Sequence, residues 1–131
     1  MDIPATNFEQ VMEFHRKFGD PPTLIPSVPT DEVQELRWRL LDEEYLEVSD
    51  ELGKPEINIY ALAKEIADLL YVTYGLGLAF GLDMDAVFAE VHRSNMSKLG
   101  PDGKPILRED GKFLKGPNYT PADIETVVDF Q

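Results

Sequence analysis

Residues 40–70, LLDEEYLEVSDELGKPEINIYALAKEIADLL, decide how the rest of the chain is read. Gly53, Lys54 and Pro55 divide the stretch into two helical halves. The first half carries Glu43, Glu44 and Glu47, and the second carries Glu65 and Asp68. Each helical residue advances about 100°, so relative to Leu40, Val33 falls near about +20°, Leu36 about −40°, Glu44 about +40° and Glu47 about −20°. Two glutamates therefore sit inside the apolar stripe, and Glu43 lies at its margin. Burying several carboxylates together is costly unless a cation neutralises them. A metal site makes the stretch physically consistent.

Glu44 and Glu47 are three residues apart, as are Glu65 and Asp68, so each pair projects from one helix face. Two such helices packed antiparallel bring four carboxylates together. Ligation by oxygen alone favours Mg²⁺ or Mn²⁺ over zinc or copper. A di-iron bundle would need Glu-x-x-His pairs, but Met12 and Ala89 stand three residues before His15 and His92.

The chain of 131 residues, 43% hydrophobic, is long enough for one domain with a real core. It has no cysteine, which removes disulfides, thiolate metal sites and thiol nucleophiles. Its net charge of −13 disfavours polymeric nucleic acid and anionic membranes. A small polyanion carried in with divalent cations remains compatible with it. The apolar run from Ile66 to Phe80 is shorter than the roughly 20 residues of a membrane span, so it reads as a buried helix. The first residues, MDIPATNFEQ, lack the basic and apolar regions of a secretory signal, and a cytoplasmic location is expected.

Before the central stretch, Thr6 or Asn7 caps a helix through NFEQVMEFHRKFG, and DPPTLIPSVP, with four prolines, forms an extended connector. The second helix begins after Thr30 and runs to about Leu52. It carries another apolar stripe, Trp38, Leu41, Tyr45, Val48 and Leu52, which implies a homo-oligomeric interface, a homodimer or homotetramer. A third helix spans about Asn58 to Phe80. Asp83 caps a fourth, DMDAVFAEVHRSNMSK, whose stripe of Met84, Val87, Phe88 and Val91 continues to Asn95 and Lys98. A lysine on a buried stripe needs an anion. The tail forms a hairpin around Asp110 and Gly111, then a short helix capped by Thr120 with Pro121 and Asp123 in its first turn. Lys104, Arg108, Lys112 and Lys115 make this tail basic, suited to a solvated hairpin or to a flap over a phosphate chain.

Glu44-x-x-Glu47, seventeen intervening residues, Glu65-x-x-Asp68 and a later helix ending in Asn95-x-Ser97-Lys98 together resemble the MazG-like all-α nucleoside triphosphate pyrophosphohydrolases. That superfamily includes dUTPase-like and phosphoribosyl-ATP pyrophosphohydrolase branches, and the likeness covers roughly residues 8–100. It implies a single all-α domain over 1–131, a four-helix core at about 8–100 and a tail at 101–131. The implied activity converts a nucleoside triphosphate to monophosphate and pyrophosphate with Mg²⁺ or Mn²⁺, two or more ions per site. Glu44, Glu47, Glu65 and Asp68 would hold metal, and Glu43 would accept the proton of the attacking water. Asn95, Lys98 and Lys115 would hold phosphates.

Asn7, Phe14, His15 and Phe18 could wall a base pocket. A purine deoxynucleotide such as dGTP is placed ahead of dUTP, because the chain is compact with a short second loop. Hydrolysis of phosphoribosyl-ATP is one alternative. Another is a non-catalytic acidic helical module that docks a basic partner through the Trp38 stripe.

Overall fold

Capping chemistry in the sequence sets where the helices begin in this computed structural model, which describes residues 3–19 and 21–131. Met1, Asp2 and Asp20, the last being the first residue of the expected connector, lie outside the described residues. Thr6 opens α1 (Asn7–Phe18) with a capping box: its hydroxyl accepts the Glu9 N–H at 3.1 Å, and the Glu9 carboxylate accepts the Thr6 N–H at 2.9 Å. Thr30 caps α2 (Asp31–Leu52) by accepting the Val33 N–H. The Asn58 side chain caps α3 (Ile59–Ala79) by accepting from the amides of Tyr60 and Ala61. α4 (Met84–Met96), a hairpin of β1 (Ile106–Leu107) and β2 (Phe113–Leu114), and α5 (Ile124–Asp129) follow. The class is all-α, as expected.

The chain divides into two compact units, Met1–Met84 and Asp85–Gln131. In the first, α2 and α3 pack antiparallel along most of their length, and α1 packs on α3. The core is small: Phe8, at 1% exposed, Val11 and Leu78, with Met12, Leu24, Tyr74 and Met84 packed against them. The described residues of the connector after α1, 21–29, have no helix or strand, as its prolines require. It lies against the end of α3, where the Ser27 N–H donates to the Phe80 carbonyl at 3.0 Å. Gly81 makes this approach possible, with φ +70°; a Cβ there would stand 2.0 Å from the Ile25 carbonyl oxygen. The Trp38 stripe of α2 is left open, with Trp38 67% and Tyr45 59% exposed.

The second unit departs from expectation in three places. α4 ends at Met96, so Lys98 lies beyond the helix. Its Phe88 and Val91, expected as core, are exposed, and the buried residue is Ser94. The reason is polar: the Ser94 hydroxyl donates to the Thr120 carbonyl at 2.8 Å, while the Ser97 hydroxyl accepts the Thr120 N–H at 3.0 Å. The cap of α5 is Asp123, which accepts the Thr126 N–H. Thr120, expected in that role, is instead held by Ser94, Ser97 and Arg93. The hairpin has the expected turn, with Gly111 at φ +87° and Ile106 opposite Leu114. Among the described residues no single helix is long and apolar enough to cross a membrane.

Candidate functional site

Antiparallel packing of α2 on α3 sets the face bearing Glu44 and Glu47 against the face bearing Glu65 and Asp68. One carboxylate oxygen from each of the four lies within 4.8 Å of the others. Glu44, Glu65 and Asp68 are half-buried and Glu47 is exposed. The Oε2 atoms of Glu44 and Glu65 are buried and accept no hydrogen bond. Unpartnered buried carboxylate oxygens are costly, and a divalent cation would supply the missing partner. The donor set, oxygen throughout, fits a hard cation.

The charges around the cluster show the strain of holding it together. A hydrogen bond shared with Glu47, then burial, then the charge of Glu47 push the Glu65 carboxyl above its ordinary value. Lys64 reaches over the cluster from the same helix. Its ammonium lies 2.7 Å from Asp68 Oδ2 and 3.8 Å from Glu65 Oε1, and its pKa is raised chiefly by the bond to Asp68.

Glu43 is exposed at the edge of this face, outside the group of four. Glu51, which sequence reading passed over, continues the stripe one turn past Glu47. It bonds Lys54 through Oε1 at 2.7 Å and leaves Oε2 buried without a partner. The signal was its helical angle, about +20° from Leu40.

Toward the other end of the same two helices, a cavity of about 660 Å³ opens in the first unit. Phe14, His15 and Phe18 of α1, Arg37 and Leu40 of α2, Tyr71 and Val72 of α3, and Pro21 to Thr23 of the connector are among its lining. Phe14 stacks on Phe18 with ring centroids 4.4 Å apart and meets Tyr71 edge-on at 5.7 Å. Three of the four residues expected to wall a base thus come together. Asn7, the fourth, lines a separate, smaller cavity with Gln10 and Tyr74, because it sits at the opposite end of α1.

Arg37 was not singled out from the sequence, yet it is the charged group of this cavity. Its Nε is buried without a hydrogen-bond partner. Burial lowers its pKa, and burial together with the Arg37 charge lowers that of His15. The helical angle of Arg37, about +60° from Leu40, places it on the edge of the inward stripe, which was the available signal.

Asn95, Lys98 and Lys115 belong to the second unit. Asn95 and Lys98 line a cavity there with Leu99, Pro105 and Phe113. Lys115 Nζ stands 4.7 Å from the centre of the Tyr119 ring.

The sequence profile of the phosphoribosyl-ATP pyrophosphohydrolase family matches residues 11–95, which include all four clustered acids. An uncharacterised protein of Acanthamoeba polyphaga mimivirus is 33% identical over 105 residues, 77% of this chain; the match spans only 39% of that protein's length. The crystal structure of a protein from Exiguobacterium sp. 255-15, provisionally assigned as an NTP pyrophosphohydrolase, superposes with a TM-score of 0.52. It is 25% identical, over 97% of this chain and 96% of that one.

Proposed function

The chain belongs to the phosphoribosyl-ATP pyrophosphohydrolase family, within the MazG-like superfamily, and from that premise we propose that it is a nucleotide pyrophosphohydrolase dependent on Mg²⁺ or Mn²⁺. Its substrate on this reading is a nucleoside triphosphate, a purine deoxynucleotide ahead of dUTP, and its products are the monophosphate and pyrophosphate. The observation that carries the reading is the four-carboxylate cluster with the buried, unpartnered Oε2 atoms of Glu44 and Glu65.

Glu44, Glu47, Glu65 and Asp68 hold the ions, two or more in number. An ion bound there would offset negative charge on the phosphate oxygens and make water a better nucleophile at neutral pH. Glu43, exposed beside the cluster, takes the proton of the attacking water. A new P–O bond forms, the α–β anhydride bond breaks, and pyrophosphate leaves with that bond's electron pair. Asn95, Lys98 and Lys115 contact phosphate on the strength of their donor chemistry. Phe14, His15 and Phe18 receive the base.

The reaction belongs to the cytoplasm, where triphosphates circulate with Mg²⁺. The uncovered Trp38 and Tyr45 support a homodimer or homotetramer formed over that face of α2. The family profile favours a second reading, hydrolysis of phosphoribosyl-ATP.

Purified protein with Mn²⁺ or Mg²⁺, assayed for pyrophosphate release against the common ribo- and deoxyribonucleoside triphosphates and phosphoribosyl-ATP, tests both readings. Turnover of a triphosphate that is lost on chelation supports the first. Turnover of phosphoribosyl-ATP alone selects the second.

A further inference from the structure

We infer that Arg37 is the residue that reads the base, and that it selects a 6-oxopurine, guanine first, by donating to the adjacent O6 and N7 acceptors. The inference rests on the nucleotide reading above and deepens it.

Three observations carry it. The first is an unmet donor. Arg37 Nε is buried without a partner, and among the described residues no carboxylate pairs with the guanidinium. A folded chain seldom leaves such a donor unsatisfied, except where a ligand, an ion or a water completes it.

The second is the space cleared for it. Gly75 stands opposite on α3, where an added Cβ would lie 2.9 Å from Arg37 Nη1 and 3.4 Å from His15 Nε2. Glycine in mid-helix is disfavoured, so a close approach of the guanidinium accounts for it. The third is the wall. Phe14, Phe18 and Tyr71 form an aromatic surface in the same cavity, suited to the flat face of a base.

Position separates this site from the phosphates. Arg37 precedes Glu44 by seven residues on α2, about 10 Å along the axis. That separation suits a nucleotide whose phosphates meet the carboxylate cluster and whose base lies beyond. Arginine only donates, and in a planar fork. Guanine offers it two neighbouring acceptors, O6 and N7. Adenine sets an amino donor beside N7 and so opposes it donor to donor. Cytosine also has neighbouring acceptors, but a cavity of about 660 Å³ is roomy for a single ring.

The test compares kcat/KM of the full chain, with Mn²⁺, for dGTP, dITP, 7-deaza-dGTP, dATP and dCTP, in the wild type, Arg37→Met and Arg37→Lys. In the wild type dITP should match dGTP, because it keeps O6 and N7. Each of the other three should be slower by about tenfold or more. Arg37→Met should erase the preference, lowering dGTP and, with the opposed donor gone, raising dATP toward the same level, with the melting temperature kept. Arg37→Lys, which retains charge but not the fork, should lose most of the same preference and covers the case in which Arg37→Met does not fold.

Equal rates on dGTP and dATP in the wild type overturn the inference. So does a loss in the variants that is uniform across bases. If the wild type cleaves no triphosphate, the activity reading fails separately. Calorimetry of dGMP against dAMP then decides the base: tighter dGMP binding that Arg37→Lys abolishes sustains the inference, and equal binding ends it.

Discussion

Lys64 and Asp68 face each other one turn apart on α3, ammonium to carboxylate across 2.7 Å. The lysine side chain is 69% exposed, so the pair is held loosely. Lys64 supplies counter-charge to the acids, and an ion held by Asp68 would have to compete with it. Lys64→Met should therefore tighten Mn²⁺ binding by about two- to fivefold, the scale of an exposed ion pair. Titration calorimetry reads this directly, and weaker binding in the variant would show that Lys64 assists the ion.

Metal should also stabilise the fold, more so as pH rises. Glu65 is raised above its ordinary value by the hydrogen bond with Glu47, then by burial and the Glu47 charge. An acid with a raised folded pKa contributes stability below its unfolded pKa and loses it as pH climbs through the folded one. The metal-free cluster is thus most strained above the carboxylate range, where a cation relieves it most. Mn²⁺ at a hundredfold excess over Kd should contribute about 2.7 kcal/mol near neutral pH. The gain in melting temperature should shrink toward about pH 5 and be largely absent in Glu47→Gln. A gain that grows on acidification contradicts this account of the cluster.

Glu43 stands outside the group of four, so its role should separate cleanly from metal binding. Glu43→Gln should lower kcat by about 10²- to 10⁴-fold, the range for loss of a general base. The stabilisation by Mn²⁺ should remain as in the wild type. If kcat is unchanged, another group accepts the proton.

Much of this was legible in the sequence because local chemistry decided it. Thr6, Thr30 and Asn58 start their helices as capping side chains do, and Pro21, Pro22, Pro26 and Pro29 keep the connector out of regular structure. Glu44 and Glu47 stood out by their angle on the apolar stripe, and Glu65 and Asp68 by their three-residue spacing on an almost uncharged helix. What sequence could not supply were contacts between elements. Asp123 caps α5 because Thr120 is engaged by Ser94 and Ser97, twenty-six and twenty-three residues back. Arg37 looks like one more charge on a polar helix until Gly75 of α3 is seen to make room for it.

Glu90 should govern the acid response of the second unit. Two bonds from Arg93, at 2.6 and 3.1 Å, hold its carboxyl down at about 2, with a third from the Asp123 N–H at 2.8 Å. A depressed acid contributes stability above its unfolded pKa and loses it as pH falls through the folded value. The link between α4 and the start of α5 should therefore loosen between about pH 4.5 and about pH 2. The Asp123 amide shift followed by NMR should show a transition over that window in the wild type, beyond the contribution of the residue's own carboxyl, and that component should be missing in Glu90→Gln. An Asp123 amide that titrates unchanged in the variant would assign the transition to another group.

Gly75→Ala separates the stability of α3 from the aim of Arg37. Alanine is the better helix former by about 1 kcal/mol. The new Cβ would press on Arg37 Nη1, the far end of a flexible side chain, so the helix should absorb it by moving the guanidinium. The melting temperature should hold or rise slightly, while the preference for dGTP over dATP falls on the order of tenfold. A variant that keeps the full preference would mean that Arg37 needs no cleared space at Gly75. A variant that unfolds would mean that the close approach at Gly75 holds the helices together, a role no helix propensity could replace.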